Sequence, residues 1–221
     1  MENTMQNTDI IQSNCNYIIN KCTMLSNTPS DIYQHLPTLY KYAKECNSVI
    51  ELGVRGCISS WSFVCGLLSN NNSNANRRIL LNDIEECDIK ELLQVTNNLP
   101  IKVEYKWIND LELEVDGNYD LTFIDTWHVY GQLKRELEKF CNITNKYIIM
   151  HDTTVDEFYG ETIRSNMNAQ QQHEMSGFPL EEINCGLGPA IHEFLINHPE
   201  WKLRERFTNN NGLTILQRIA D

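Results

Sequence analysis

Two short stretches of this chain end in side chains that could do chemistry together. "FIDTWH" carries Asp125 and His128, and "IIMHD" carries His151 and Asp152. Each is an apolar run that stops on polar residues, as a β-strand does at the edge of a sheet. Adjacent parallel strands lie about 4.8 Å apart, a spacing at which these four side chains surround one small site. Two carboxylates on a shared edge suit a hard divalent cation that keeps several of its waters. Without one, their repulsion would raise one of the two pKa values. An imidazole titrates near neutrality, so His128 and His151 are both candidates for a general base. Either histidine alone is as readily a turn or core residue bonded to backbone.

A second constellation lies earlier in the chain. "SVIELGVRGCISSW" ends an apolar run on Glu51, places Gly53 and Gly56 in the turn that follows, and continues into Ser59 and Ser60. The glycines form only G-x-x-G, which is not the dinucleotide fingerprint. A plain tight turn would explain them, and so would a turn that leaves bare backbone for a ligand. Asp83 ends the next apolar run, where a carboxylate can accept hydrogen bonds from both ribose hydroxyls of a nucleoside. Asn109 and Asp110 follow the run after that.

These residues need a scaffold that ends several strands together. Apolar runs at 48–52, 78–83, 101–108, 119–125 and 146–152 predict five strands, separated by helical patterns at 58–69, 88–98 and 130–141. Strands alternating with helices of this length imply right-handed crossovers and a parallel sheet covered on both faces. Such sheets bind ligands at the carboxyl ends of their strands, where all the residues named above fall. A helix is expected over 189–198, and "WKLRERFT" and "GLTILQRI", joined by "NNNG", predict an antiparallel hairpin at the sheet edge. Residues 1–46 read as an N-terminal helical extension, with Ile10, Ile11, Ile18, Ile19 and Cys22 near helical spacing and Pro37 dividing a second helix. Residues 47–221 form the main domain. Within it, 153–188 is long, polar and poor in pattern, as an acceptor lid would be.

Bulk properties narrow the chemistry. With 41% hydrophobic and 22% charged residues the chain has the composition of a globular protein. A formal net charge of -12 makes nucleic acid and anionic membrane surfaces poor partners and favours a small or uncharged ligand. No apolar stretch approaches the ~20 residues of a membrane span, and the first residues lack the layout of a signal peptide. The eight cysteines are scattered with no C-x-x-C pair, so they are read as reduced thiols, and the expected location is cytoplasmic.

Taken in order, "ELGVRGCISSW", "FIDTWHVY", "IIMHDT" and "PEWKLRERFTNNNGLTILQR" resemble class I S-adenosylmethionine-dependent methyltransferases. The similarity is greatest to the branch of sugar O-methyltransferases and cephalosporin-hydroxylase-like proteins, and it covers most of residues 48–218. The fold class it implies is α/β: a Rossmann-like three-layer sandwich whose mostly parallel seven-stranded sheet carries an antiparallel C-terminal hairpin. It also implies S-adenosylmethionine as cofactor. Glu51, Gly53 and Gly56 would hold its methionine moiety, Ser59 and Ser60 would lie near its carboxylate, Asp83 would grip the ribose, and Asn109 and Asp110 would approach the adenine. Asp125 and Asp152 match the acidic positions that hold magnesium (or manganese) in metal-dependent members, and His128 matches a proposed base. His151 departs from the acid often found before the last aspartate. That puts the metal in question and lets His151 compete as base.

The expected acceptor is a small molecule or glycan, with a sugar hydroxyl as methyl recipient. Trp127, Tyr130, Tyr159 and Arg164 are candidate acceptor contacts, with Phe158, Phe178 and His173 beside them. Rival readings are a non-sugar hydroxylated acceptor, a non-catalytic member of the fold, and an oxygenase with iron held by His128, His151 and Asp125. A homodimer is the oligomeric state considered.

Overall fold

The computed structural model describes residues 2–71 and 76–219, with side chains from residue 9 onward. Part of the polar loop expected at 70–77, residues 72–75, lies outside the described residues. The chain forms two compact units, which meet in sequence at Ile108 and Asn109.

The first unit contains α1 (Glu2–Ser26), a short 3-10 turn (Tyr33–His35), α2 (Leu36–Ala43), β1 (Ser48–Leu52), α3 (Ile58–Leu68), β2 (Arg77–Asp83), α4 (Lys90–Thr96) and β3 (Ile101–Trp107). β1 pairs in parallel with β2, Ile50 opposite Leu80, and β2 pairs in parallel with β3, Leu80 opposite Glu104. Every residue of β1 is buried, including Glu51, as a strand covered on both faces requires. Pro37 sits in the first turn of α2, where its missing N–H has no helical partner to lose. α1 is fastened to its neighbours: Asn14 donates to the Val95 carbonyl at 2.9 Å, and Lys21 pairs with Glu91 at 2.9 Å. Of the apolar residues expected to line its inner face, Ile18 and Cys22 are buried, while Ile10 and Ile19 are exposed.

The second unit contains β4 (Tyr119–Ile124), α5 (Tyr130–Phe140), β5 (Thr144–His151), three short helices α6 (Gly160–Arg164), α7 (Ala169–Ser176) and α8 (Leu180–Ile183), then α9 (Leu187–Asn197), β6 (Trp201–Phe207) and β7 (Leu213–Arg218). β4 and β5 are parallel, Ile124 opposite Met150. β7 runs antiparallel to β5, Leu213 opposite His151, and antiparallel to β6. The β6–β7 turn places Asn210, Asn211 and Gly212 at positive φ, which Asn and Gly tolerate best. Strand order over the chain is β3-β2-β1-β4-β5-β7-β6. This is a mixed seven-stranded sheet of the Rossmann-like kind, flanked by helices and finished by an antiparallel hairpin.

The segment 153–188, expected as an acceptor lid poor in pattern, carries three short helices and is pinned by backbone. Tyr130 donates to Cys185, Gly186 to Phe158, Leu187 to Asp156 and Glu161 to His128, at 2.8 to 2.9 Å. At Gly186 a Cβ would fall 2.3 Å from the Asp156 carbonyl oxygen, so this close approach needs glycine. All eight cysteines are free thiols.

Candidate functional site

In the first unit, β1 and β2 deliver the expected donor-side residues. Gly53 has φ 87°, a conformation that itself calls for glycine, and its N–H donates to the Asn82 carbonyl at 2.9 Å. Gly56 is different: a Cβ there would meet only the Ile58 side chain, at 3.8 to 4.0 Å. The protein does not require glycine at 56, and that side of the turn stays open. Glu51 is fully buried and accepts from the Ser59 hydroxyl. Ser60 is buried as well.

Asp83 is tied to the glycine turn. Its Oδ2 accepts from the Val54 and Arg55 amides at 2.8 and 2.9 Å, and its Oδ1 accepts from the Glu85 amide at 2.9 Å. Burial pushes this carboxyl up, but the three amides outweigh it and hold its pKa below the usual carboxylate value. Three of its acceptor positions are thus taken up by the chain around the turn itself.

In the second unit, the ends of β4 and β5 gather a charged cluster. His128 Nε2 lies 3.1 Å from Asp125 Oδ1, and its Nδ1 lies 3.1 Å from Asp152 Oδ2, 3.4 Å from Asp156 Oδ2 and 3.6 Å from Glu161 Oε2. His151 Nδ1 lies 3.3 Å from Asp125 Oδ1, and its Nε2 faces the Asn210 carbonyl at 3.2 Å. His151 meets an acceptor on each nitrogen, whereas His128 Nδ1, though close to three carboxylates, makes no hydrogen bond of good geometry. Burial opposes the charge on each ring, but the carboxylates prevail and raise both histidine pKa values. Asp125 answers them: burial would raise its carboxyl, and the neighbouring His151 and His128 depress it far below the carboxylate range. For Asp152, burial outweighs the two histidines and the pKa is raised. Asp152 also adopts φ 55° directly after β5, a left-handed conformation of the sort found where a side chain must be aimed.

One ligand atom from each of Asp125, His128 and Asp152 lies within 4.8 Å of the others, a grouping able to hold a metal ion. His151 is 1% exposed, so of the two histidines His128 is the one nearer solvent.

The remaining expected residues scatter. Asn109 accepts from the Leu111 amide at 3.0 Å in a local turn. Asp110 is buried and accepts from Gln132 at 3.0 Å, within the second unit's interior. Arg164 makes a two-pronged pair with Asp156, at 2.6 and 2.8 Å. Tyr130 donates to Glu193 and accepts from Lys134. The Trp127 ring stacks on Phe178, centroids 5.9 Å apart and 13° between planes. Tyr159 and Phe158 are each 69% exposed. Of the proposed acceptor contacts, Tyr159 retains a largely exposed ring, while Arg164, Tyr130 and Trp127 have partners within the protein.

Sequence reasoning missed Asp156 and Glu161, both facing His128, and the buried Glu136. The first two stand in the polar stretch "TTVDEFYGET", where nothing separates them from solvated acids. Glu136 stands in "KRELEKF", which reads as an ordinary charged helix face. Its spacing from Leu133, Leu137 and Phe140, all buried, was the available signal.

No protein-family model matches the chain, and no curated protein does. Solved structures do. An O-methyltransferase from Bacillus cereus in complex with SAH is 14% identical, with 93% of this chain and 90% of that one covered at a TM-score of 0.53. The O-methyltransferase TomG from Streptomyces achromogenes, involved in tomaymycin synthesis and bound to SAM, is 11% identical, covering 87% and 82% at 0.55. The SAH-bound methyltransferase PaMTH1 from Podospora anserina is 13% identical, covering 96% and 88% at 0.51. The chain has the class I methyltransferase fold. In the methyltransferase fold as built here, each unit gathers polar side chains at the carboxyl ends of its parallel strands.

Proposed function

We propose that this protein is an S-adenosylmethionine-dependent O-methyltransferase that methylates a hydroxyl of a sugar, free or in a glycan or glycoside, with a divalent cation held by the Asp125 and Asp152 carboxylates and His128 beside them. The observation that carries the reading is the grouping of those three ligand atoms at the ends of two neighbouring strands, in a chain whose fold is that of methyltransferases. The residues fit the cofactor at Gly56, whose open side admits a ligand, and at Asp83, an ionised carboxylate tied to the same turn. They fit a hard cation through the two carboxylates.

When bound, the sulfonium supplies an activated methyl group, and the cation a charge that orients the acceptor oxygen and lowers its pKa. The protein's own share is placement. Aligning two reactants is worth up to ~7–11 kcal/mol, more than the ~10²–10⁴-fold of a positioned base. Glu51, held by Ser59, Gly53 and Asp83 would fix the donor, and Tyr159 would offer a flat face to the acceptor. His128 takes a hydroxyl proton only as neutral imidazole, when Asp125 and Asp152 are engaged by another cation. His151, buried and bonded to Asn210, orients Asp125.

The test is transfer of labelled methyl from S-adenosylmethionine to a panel of sugars, nucleotide sugars, oligosaccharides and catechol-like phenols, with magnesium or with chelator. Magnesium-dependent labelling of a sugar is expected. Labelling of phenols alone would sink the sugar assignment, and full activity in chelator would remove the metal.

A further inference from the structure

Behind the acid–imidazole cluster, Ile124, Thr126, Trp127, His128, Glu136 and His151 line a cavity of about 10 Å³. Glu136, on α5, is fully buried. Its Oε1 accepts from the Thr126 hydroxyl and from Gln132 Nε2, the latter at 2.9 Å. The Asp110 carboxyl lies close to Glu136, but Oε2 is buried with no hydrogen bond of good geometry, and so is the Trp127 indole N–H. A buried polar atom left unsatisfied costs about 1–3 kcal/mol. Proteins relieve that cost with an internal water where the cavity reaches about 10–15 Å³ and offers two or more polar partners. Both conditions hold here.

We infer that the cavity binds one ordered water, which accepts from Trp127 Nε1–H and is hydrogen-bonded to Glu136 Oε2, and that Glu136 is thereby a positioning residue for Asp125 and His128. Thr126 and Trp127 are the two residues between that aspartate and that histidine. Thr126 reaches Glu136 directly and Trp127 reaches it through the water, so α5 grips consecutive peptides of the turn. The indole is steadied from its face by Phe178. Rotation of either peptide would move Asp125 and His128 together.

A high-resolution crystal structure of the full chain should show one density peak about 2.7–3.2 Å from both atoms; an empty cavity overturns the water. Imidazole ¹⁵N–¹H spectra then report on His128 with no ligand and no activity assay. Glu136→Gln keeps the shape and both hydrogen bonds, and should leave the His128 resonances where they are. Glu136→Leu removes both links and should shift them, at some cost in thermal stability because the Thr126 hydroxyl loses its acceptor. Trp127→Phe loses only the water's donor and should shift the same resonances by less; it decides the matter if the leucine variant does not fold. Unmoved His128 resonances in a folded Glu136→Leu protein, or in Trp127→Phe where the leucine variant does not fold, would refute the positioning role. None of these readouts depends on methyl transfer.

Discussion

The turn that follows β1 and the cluster that follows β4 and β5 are both strand-end sites built around aspartate, yet they balance charge by opposite means. Asp83 is answered by three backbone amides, which are neutral and fixed by the chain's own path. Asp125 and Asp152 are answered by side chains, two imidazoles that further carboxylates also contact. Amides cannot leave, so the first arrangement is a permanent shape. The second holds because cations and anions happen to match, and another cation can re-partition it. A fixed cradle in one unit and an exchangeable charge cluster in the other are the division of labour expected if one holds a cofactor and the other handles protons.

The largest test of that contrast is His128→Ala. Turnover should fall ~10²–10⁴-fold while S-adenosylhomocysteine affinity, measured by calorimetry, stays at the wild-type value. Unchanged turnover would reduce the cluster to a structural ion network. Next comes Arg164→Ala, which leaves the fully buried Asp156 carboxylate with only His128 near it. Breaking a buried pair costs about 3–5 kcal/mol and an exposed one about 0–1; with the Arg164 side chain 40% exposed, about 2 kcal/mol is expected in urea unfolding. Asp156→Asn in the same background should recover part of it.

Asp83→Ala probes the cradle. It leaves the Val54, Arg55 and Glu85 amides without their acceptor, and water at this half-exposed turn restores some of the loss, so about 1 kcal/mol of stability should go. S-adenosylhomocysteine binding should weaken as well. Lost stability with normal affinity would mean that Asp83 serves the turn alone. The smallest effect belongs to His198, which lies 3.2 Å from Glu138 and 3.0 Å from Glu200. Burial works against its charge, but the two glutamates raise its pKa. A raised folded pKa means its stabilisation is complete below the unfolded value of about 6.5 and is lost as pH climbs through the folded one. The stability gap between wild type and His198→Ala should therefore be at most about 1 kcal/mol near pH 6 and shrink on alkalinisation. A gap that widened would have the wrong sign.

Most of the strands were legible because burial on both faces writes itself as short apolar runs, and β3, which buries none of its residues, because its apolar residues alternate; each of the five stops within a residue or so of its expected end. The helices of 153–188 were not. α7 buries no residue at all, so it carries no apolar stripe to read. The cluster was half legible: Asp125, His128, His151 and Asp152 follow apolar runs, whereas Asp156 and Glu161 follow none.

By itself the sequence determined which residues arrive at strand ends, because alternating apolar and helical stretches fix where each strand must stop. Only the tertiary structure decided what those residues do to one another. That Asp83 serves the glycine turn, that Arg164 pairs with Asp156, and that carboxylates raise both histidine pKa values are consequences of distances between residues remote in sequence. Charge and hydrogen-bond balance depend on such distances, and no local pattern encodes them.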